Sequence, residues 1–479
     1  MNRPIRRVAL VCMVLFGLLL GNGTFLIVVQ QNSLNANPLN RRVRDAEFSQ
    51  DRGAILVGTT PIAETRASDG DFRYQRVYPD PELYAHVTGW YSYDRARSGL
   101  EESYNTELAG TDDSLFVRRL VDLVTGRTPE GASITTTIDP DAQRAAAEAL
   151  GDTKGAVVAL DPQTGAVLAM VSHPSYDPNR IADAEDVQAA NEAYTELAED
   201  EDNPLANRAA REVYPPGSTF KLVTAAAALE SGMAPDAELD SPELLRLPGT
   251  TTDLGNDTDC GGETTTLDRA LQVSCNTAFA NLGVDLGADA LRQQAEAFGF
   301  GTRHLADLNG VASRFPEAPD DAQTALSAIG QFDVAASPLQ MAMVAAAVAN
   351  DGVVMEPYLV DQVRAPNLSV LRQTRPQELG RAMSAENAAE LQQMMVNVVQ
   401  DGTGTNARLD GIEVGGKTGT AQSDLSRNPF AWFVSAAPMD DPQVAVAVFV
   451  EDADIARNDI AGGRLAAPIA RAVTEAVVR

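Results

Sequence analysis

The chain has 479 residues, 44% of them hydrophobic, with 67 acidic and 37 basic side chains for a formal net charge of −30. That is enough apolar material for a large core and enough length for one large domain plus a smaller one, while the acidity excludes nucleic acid and anionic lipid headgroups as partners of the soluble part. Three cysteines without a C-x-x-C pair, and three scattered histidines (His86, His173, His304), point to no metal site and no cofactor.

The first element is a membrane signal. Arg3, Arg6 and Arg7 precede an uncharged run over residues 8–29. As a helix that run reaches about 33 Å, the depth of a bilayer core. Cationic flanks stay on the cytoplasmic side. Residues 1–7 are therefore expected to form a cytoplasmic stub, residues 8–29 one anchor in the plasma membrane, and the rest to lie outside the cytoplasm. No convincing cleavage site follows Gly21-Asn22-Gly23, which favours a retained anchor over a cleaved signal peptide. Cys12 lies in the run and reads as a small buried hydrophobe.

Residues 30–150 are polar and irregular, with short apolar bursts, and read as a loosely built, non-catalytic pedestal. Residues 151–479 read as the second domain. Residues 155–160 and 165–171 are strand-like, and Asp161-Pro162-Gln163-Thr164 turns between them, which predicts a hairpin. An alanine-rich helix is expected over 222–230, stopping at Ser231-Gly232, and another over 338–350, starting on Pro338. Strand signals return at 412–422, 431–436 and 444–450, and 462–478 reads as a terminal helix. Two strands, a large helical insertion, three strands and a helix fold most simply as one α+β unit, a five-stranded antiparallel sheet covered by helices. Cys260 and Cys275 fall in the exported part. A disulfide between them and two separate buried thiols both remain open.

Three short motifs carry chemistry. Val213-Tyr214-Pro215-Pro216-Gly217 turns the chain into Ser218-Thr219-Phe220-Lys221. The spacing predicts Ser218 at a helix start, with Lys221 on the same face. A serine becomes a nucleophile when a base takes its proton, and a lysine neutralised by burial can be that base. Ser274-Cys275-Asn276 offers a hydroxyl and an amide that an extended segment would aim into one cleft. Gly416-Lys417-Thr418-Gly419-Thr420 falls on a predicted strand, where Thr418 and Thr420 share a side and glycine lets another backbone approach. A phosphate-loop reading of this stretch is set aside. Lysine usage marks the same positions. The chain has three lysines, and two of them are Lys221 and Lys417. Arginine serves where charge alone is needed, but proton transfer needs an amine that can lose its proton.

The order S-x-x-K, S-x-N, K-T-G is the acyl-transfer set of penicillin-binding proteins and β-lactamases. The chain resembles a class B penicillin-binding protein, and within that class most resembles the actinobacterial PbpA type, tied to cell growth and division. Further matching segments are Arg52-Gly53-Ala54-Ile55, Gly99-Leu100-Glu101 with Tyr104-Asn105, Ser175-Tyr176-Asp177-Pro178-Asn179, Gly330-Gln331, and Pro338-Leu339-Gln340-Met341-Ala342. The resemblance implies a peptidoglycan D,D-transpeptidase. Ser218 would attack the donor stem peptide, with Lys221 as base. Ser274, aided by Lys417, would protonate the departing D-alanine. The N–H groups of Ser218 and Thr420 would form the oxyanion hole. Thr418, Gly419 and Thr420 would line the carboxylate site, and Asn276 would hold the donor amide. It also implies acylation of Ser218 by β-lactams and a RodA/FtsW-type glycan polymerase or other division proteins as partners. Two alternatives are a hydrolase (β-lactamase or D,D-carboxypeptidase) and a non-enzymatic division scaffold. The E-x-x-L-N element of one hydrolase class is missing.

Overall fold

The structure is a computed structural model that describes residues 3–30, 41–115, 130–421, 428–453 and 455–479. Helix α1 (Arg3–Val28) carries the apolar run, is long and apolar enough to cross a membrane, and buries no residue against the rest of the chain.

Strands β1 (Ile55–Val57), β2 (Thr60–Ala67) and β3 (Tyr74–Val77) follow, then helix α2 (Pro81–Thr88) and strand β4 (Ser133–Thr136). Next come α3 (Pro140–Leu150), which falls at the end of the expected pedestal range yet packs on the main sheet, and β5 (Lys154–Leu160) and β6 (Val167–His173). The helical insertion includes α4 (Lys221–Glu230), α5 (Leu267–Val273), α6 (Asn276–Leu286) and α7 (Pro338–Ala349). Then come β7 (Val360–Arg364), β8 (Val370–Gln373) and α8 (Ala385–Asp401). The chain closes with β9 (Gly415–Ala421), β10 (Phe430–Ala437), β11 (Val444–Asp452) and α9 (Gly462–Val478).

The main sheet has the order β9-β10-β11-β5-β6, antiparallel throughout, as the chain order implied. Period-two alternation splits its side chains between two cores. Val157, Ala159, Val446 and Val448 pack on one face with Ala142, Ala146, Ile469 and Val473 of the covering helices α3 and α9. Ala156, Val158, Leu160, Trp432 and Phe449 face the other core, which α7 fills. All twelve residues of α7 are buried, which is why its sequence is apolar on every side. Gln422, the expected last residue of β9, lies outside the described residues.

The pedestal is not loosely built. Its sheet has the order β8-β7-β4-β1-β2-β3, and β7 and β8 come from far along the chain. The sequence reading missed this pair because both strands are short and the partner of β7 is more than 200 residues away. Charge knits the pedestal within itself, and hydrogen bonds cross the seam. Glu101 is fully buried and takes both Arg52 and Arg76 at 2.6 Å, while the Tyr78 hydroxyl lies 3.3 Å away. The Tyr104 hydroxyl reaches Asp307 at 2.7 Å, and the other Asp307 oxygen accepts the Leu359 N–H at 2.8 Å. Asn179 pairs with both backbone groups of Tyr78 at 2.9 and 3.0 Å. Several segments that carried the family resemblance thus build this seam.

Glu101 is the one anion between two buried guanidiniums, and its carboxyl is held below the usual range, burial notwithstanding, by Arg76 and Arg52. Replacing it with alanine should cost about 3–5 kcal/mol, since it strands buried charge. Chemical denaturation of Glu101→Ala against wild type measures this.

Candidate active site

Ser218 sits in a single 3₁₀ turn (Gly217–Phe220) that runs into α4. The turn replaces the plain helix start expected and places positions 218 and 221 nearly one above the other. Hydrogen bonds hold its lead-in from three sides. Tyr214 N–H donates to Ala336 O at 2.9 Å and Gly217 N–H to Gly330 O at 3.0 Å. Trp432 Nε1 donates to Pro215 O at 3.0 Å.

Strand β9 is the edge of the main sheet, and its unpaired side abuts the turn. Glycine permits the approach. Gly217 has φ +53°, and a Cβ there would lie 2.9 Å from Thr420 O. A Cβ on Gly419 would meet Thr219 at 2.9 Å and Pro216 O at 3.0 Å. Any side chain at either position would push the nucleophile turn off the strand.

Ser274 and Asn276 occupy a corner between α5 and α6, not the extended segment expected. Ser274 ends α5 in the left-handed region (φ 64°, ψ 42°), and Asn276 opens α6. A non-glycine residue there costs roughly 1–3 kcal/mol, so surrounding structure must hold it.

The two lysines meet at this corner, both fully buried. Lys221 Nζ donates to Ser274 O at 2.8 Å, Ser274 Oγ at 3.3 Å and Asn276 Oδ1 at 2.7 Å. Lys417 Nζ donates to the same Ser274 Oγ at 2.8 Å and to Thr418 O at 2.8 Å. Burial pushes the Lys221 amine well below its ordinary range. The nearby charge of Lys417 adds to that, and Asp257 pulls the other way. Burial brings Lys417 down to about 7. Among the described residues the Ser218 hydroxyl takes no hydrogen-bond partner.

Thr418 is buried and shares a 2.6 Å hydroxyl–hydroxyl hydrogen bond with Thr403, while Thr420 is exposed. The sequence reading missed Thr403; its only signal is a threonine between two glycines after α8. The reading also missed Asn256, Asp257 and Thr258, which contact the Ser274 corner from an irregular strap. That strap ends at Cys260, which forms a disulfide with Cys275 at a Cα–Cα distance of 5.5 Å. Gly411, Gly416, Lys417 and Thr418 do in fact satisfy the phosphate-loop spacing. A phosphate loop is a turn that opens a helix, whereas here Gly416, Lys417 and Thr418 lie in a strand.

Comparison with known proteins places this geometry. Residues 155–475 match the family model of the penicillin binding protein transpeptidase domain, and residues 52–134 that of the penicillin binding protein A dimerisation domain. The chain is 45% identical to peptidoglycan D,D-transpeptidase PbpA of Mycolicibacterium smegmatis, over 100% of this chain and 99% of that protein. It is 43% identical to PbpA of Mycobacterium tuberculosis over the same shares. The ceftriaxone acyl-enzyme structure of penicillin-binding protein A from M. tuberculosis superposes with a TM-score of 0.88 at 42% identity, over 91% of this chain and 100% of that one. A D,D-transpeptidase domain from Eggerthella lenta gives 0.77 at 34% identity, over 89% and 98%.

Native protein should resist alkylation at Cys260 and Cys275 until it is reduced. Prompt labelling of both in unreduced protein would contradict the bridge.

Proposed function

The chain belongs to the class B penicillin-binding proteins and is a peptidoglycan D,D-transpeptidase, and on that premise we propose how its residues divide the reaction. The observation that carries the division is that two buried, pKa-depressed lysines converge on one serine hydroxyl.

Ser218 is the nucleophile and Lys221 the base. The three acceptors around Lys221 Nζ match an ammonium group. A neutral amine has only two protons, so on deprotonation one of those bonds lapses and the lone pair becomes free to take the Ser218 proton. Ser218 Oγ then bonds to the penultimate D-alanine carbonyl carbon, and the charge moves to the carbonyl oxygen. The N–H groups of Ser218 and Thr420 receive that oxyanion, the step that such sites stabilise most. As the C–N bond breaks, Ser274 passes its proton to the departing D-alanine and is resupplied by Lys417. Thr418 and Thr420 hold the terminal carboxylate, with Gly419 between them letting the Ser218 turn sit close against the strand, and Asn276 orients the donor amide. An acceptor amine then attacks the ester, forms the cross-link and releases Ser218. β-Lactams bind the same centre and leave an acyl group on Ser218.

The layout follows the same reading. Residues 1–7 form a cytoplasmic stub, 8–29 the anchor, 30–150 the pedestal and 151–479 the catalytic domain outside the cytoplasm. The arginine-first flank of α1 supports that orientation. The pedestal surface is the contact for a glycan polymerase with several membrane spans.

Fluorescent penicillin should label wild type stably for hours and Ser218→Ala not at all. Label lost within minutes would indicate a hydrolase, and no labelling of folded wild type a scaffold. Lys221→Arg keeps the charge but cannot release a proton, so acylation should fall about 10²–10⁴-fold. The pH dependence has a definite sign. Lys221 acts when neutral, and burial with the nearby charge of Lys417 holds its pKa well below the ordinary lysine range, which favours that form. The wild-type acylation rate should therefore fall as pH drops through that pKa. A flat profile across the acid limb would remove Lys221 from the base role.

A further inference from the structure

The end of α5 closes on itself, with Ser274 N–H donating to Leu271 O at 3.2 Å and Cys275 N–H to Ala270 O at 2.8 Å, but the start of α6 does not hold itself. Helix α6 has no capping bond from its own N-cap residue, Cys275. Its first N–H groups are satisfied from outside. Asn256 Oδ1 accepts the N–H of Asn276 at 2.8 Å and that of Thr277 at 3.0 Å. The Asn256 Nδ2 group donates to Thr277 Oγ1 at 2.9 Å and to Pro242 O at 3.2 Å, which fixes the orientation of the amide. The neighbours of Asn256 reach the same corner. Thr258 Oγ1 donates to Val273 O at 2.6 Å. Asp257 and Gly255 O both lie 3.3 Å from Asn276 Nδ2. The disulfide ties Cys260 to Cys275, the residue between Ser274 and Asn276.

We infer that Asn256 is a positioning residue for acyl transfer, a helix cap supplied by another segment that sets Ser274 Oγ and Asn276 Oδ1 against the two lysines. The physical argument starts from Ser274. Its left-handed backbone is unfavourable in isolation and is held by the closing bonds of α5 on one side and by the anchoring of α6 on the other. Thr258 pins the end of α5, and Asn256 pins the start of α6. Without Asn256 Oδ1, two N–H groups at the helix start lose their acceptor, and the corner can relax toward an ordinary backbone. Such relaxation moves Ser274 Oγ away from Lys417 and Asn276 Oδ1 away from Lys221.

This inference rests on the roles proposed above for Ser274 and Asn276, and its test separates the two. The full-length protein is purified as wild type, Asn256→Ala, Asn256→Asp and, as a nearby control, Ser241→Ala, which removes a hydroxyl bond to Gly262 O on the same lobe. Acylation by fluorescent penicillin is followed at a temperature well below the measured Tm of each variant, and the acylation step is resolved from the preceding binding step. A misplaced reacting group is costly, so Asn256→Ala should slow acylation about 10–100-fold with little change in initial binding. Aspartate accepts the same two N–H bonds but sets an oxygen against Pro242 O where Nδ2 donated, so Asn256→Asp should recover part of the loss and acylate several-fold faster than Asn256→Ala. Ser241→Ala should acylate normally. Wild-type acylation by Asn256→Ala overturns the inference. So does an Asn256→Asp no faster than Asn256→Ala, because the two N–H acceptors would then be restored without any rescue, and so does an equal loss in Ser241→Ala, which would mean general loosening. Labelling that survives Ser218→Ala would instead overturn the underlying reading.

Discussion

Two lysine amines are kept dry around one serine hydroxyl, and the rest of the site is arranged to make that tolerable. Lys221 and Lys417 are both fully buried, and both reach Ser274 Oγ. Burial disfavours each ammonium, and a second cation nearby disfavours it further. The fold answers with acceptors (Ser274 O, Asn276 Oδ1 and Thr418 O) and with lowered proton affinity. The second response is what makes the arrangement chemically useful. An exposed lysine would be protonated at neutral pH and could not accept a proton from serine.

The lysines come from structurally independent supports. Lys221 begins a helix buried in the body of the protein, and Lys417 projects from the edge strand of the main sheet. Ser274 stands at a strained corner clamped by a disulfide-bonded strap. Glycines at 217 and 419 bring helix turn and strand into contact, and Trp432 ties the strand layer to the proline lead-in. Rigid elements thereby fix the geometry, and the residue that both amines share carries a left-handed backbone.

The pedestal is joined to the catalytic body rather than strung from it. Strands β7 and β8 complete its sheet, and the Tyr104–Asp307 and Asn179–Tyr78 hydrogen bonds cross to it, while Glu101 gathers two buried arginines within it.

Local pattern was enough to read the apolar N-terminal run, the hairpin, the helix α7, the strands of the main sheet and the three motifs. Each is encoded by periodicity or by a residue type that chemistry requires over a few positions. The retention of lysine at 221 and 417 in an arginine-rich chain was a compositional clue of the same local kind. What local pattern could not supply was everything that depends on distant partners. The pairing of β4 with β7, the convergence of Arg52, Arg76 and Glu101, and the contact of Thr403 with Thr418 are of this kind, as is the capping of α6 by Asn256. None leaves a periodic signal, because each is one residue whose partner is set by the packing of other elements. The sequence alone determined which groups could do the chemistry. Only the tertiary structure decided their protonation and their aim, because burial and hydrogen-bond partners are properties of the packed chain.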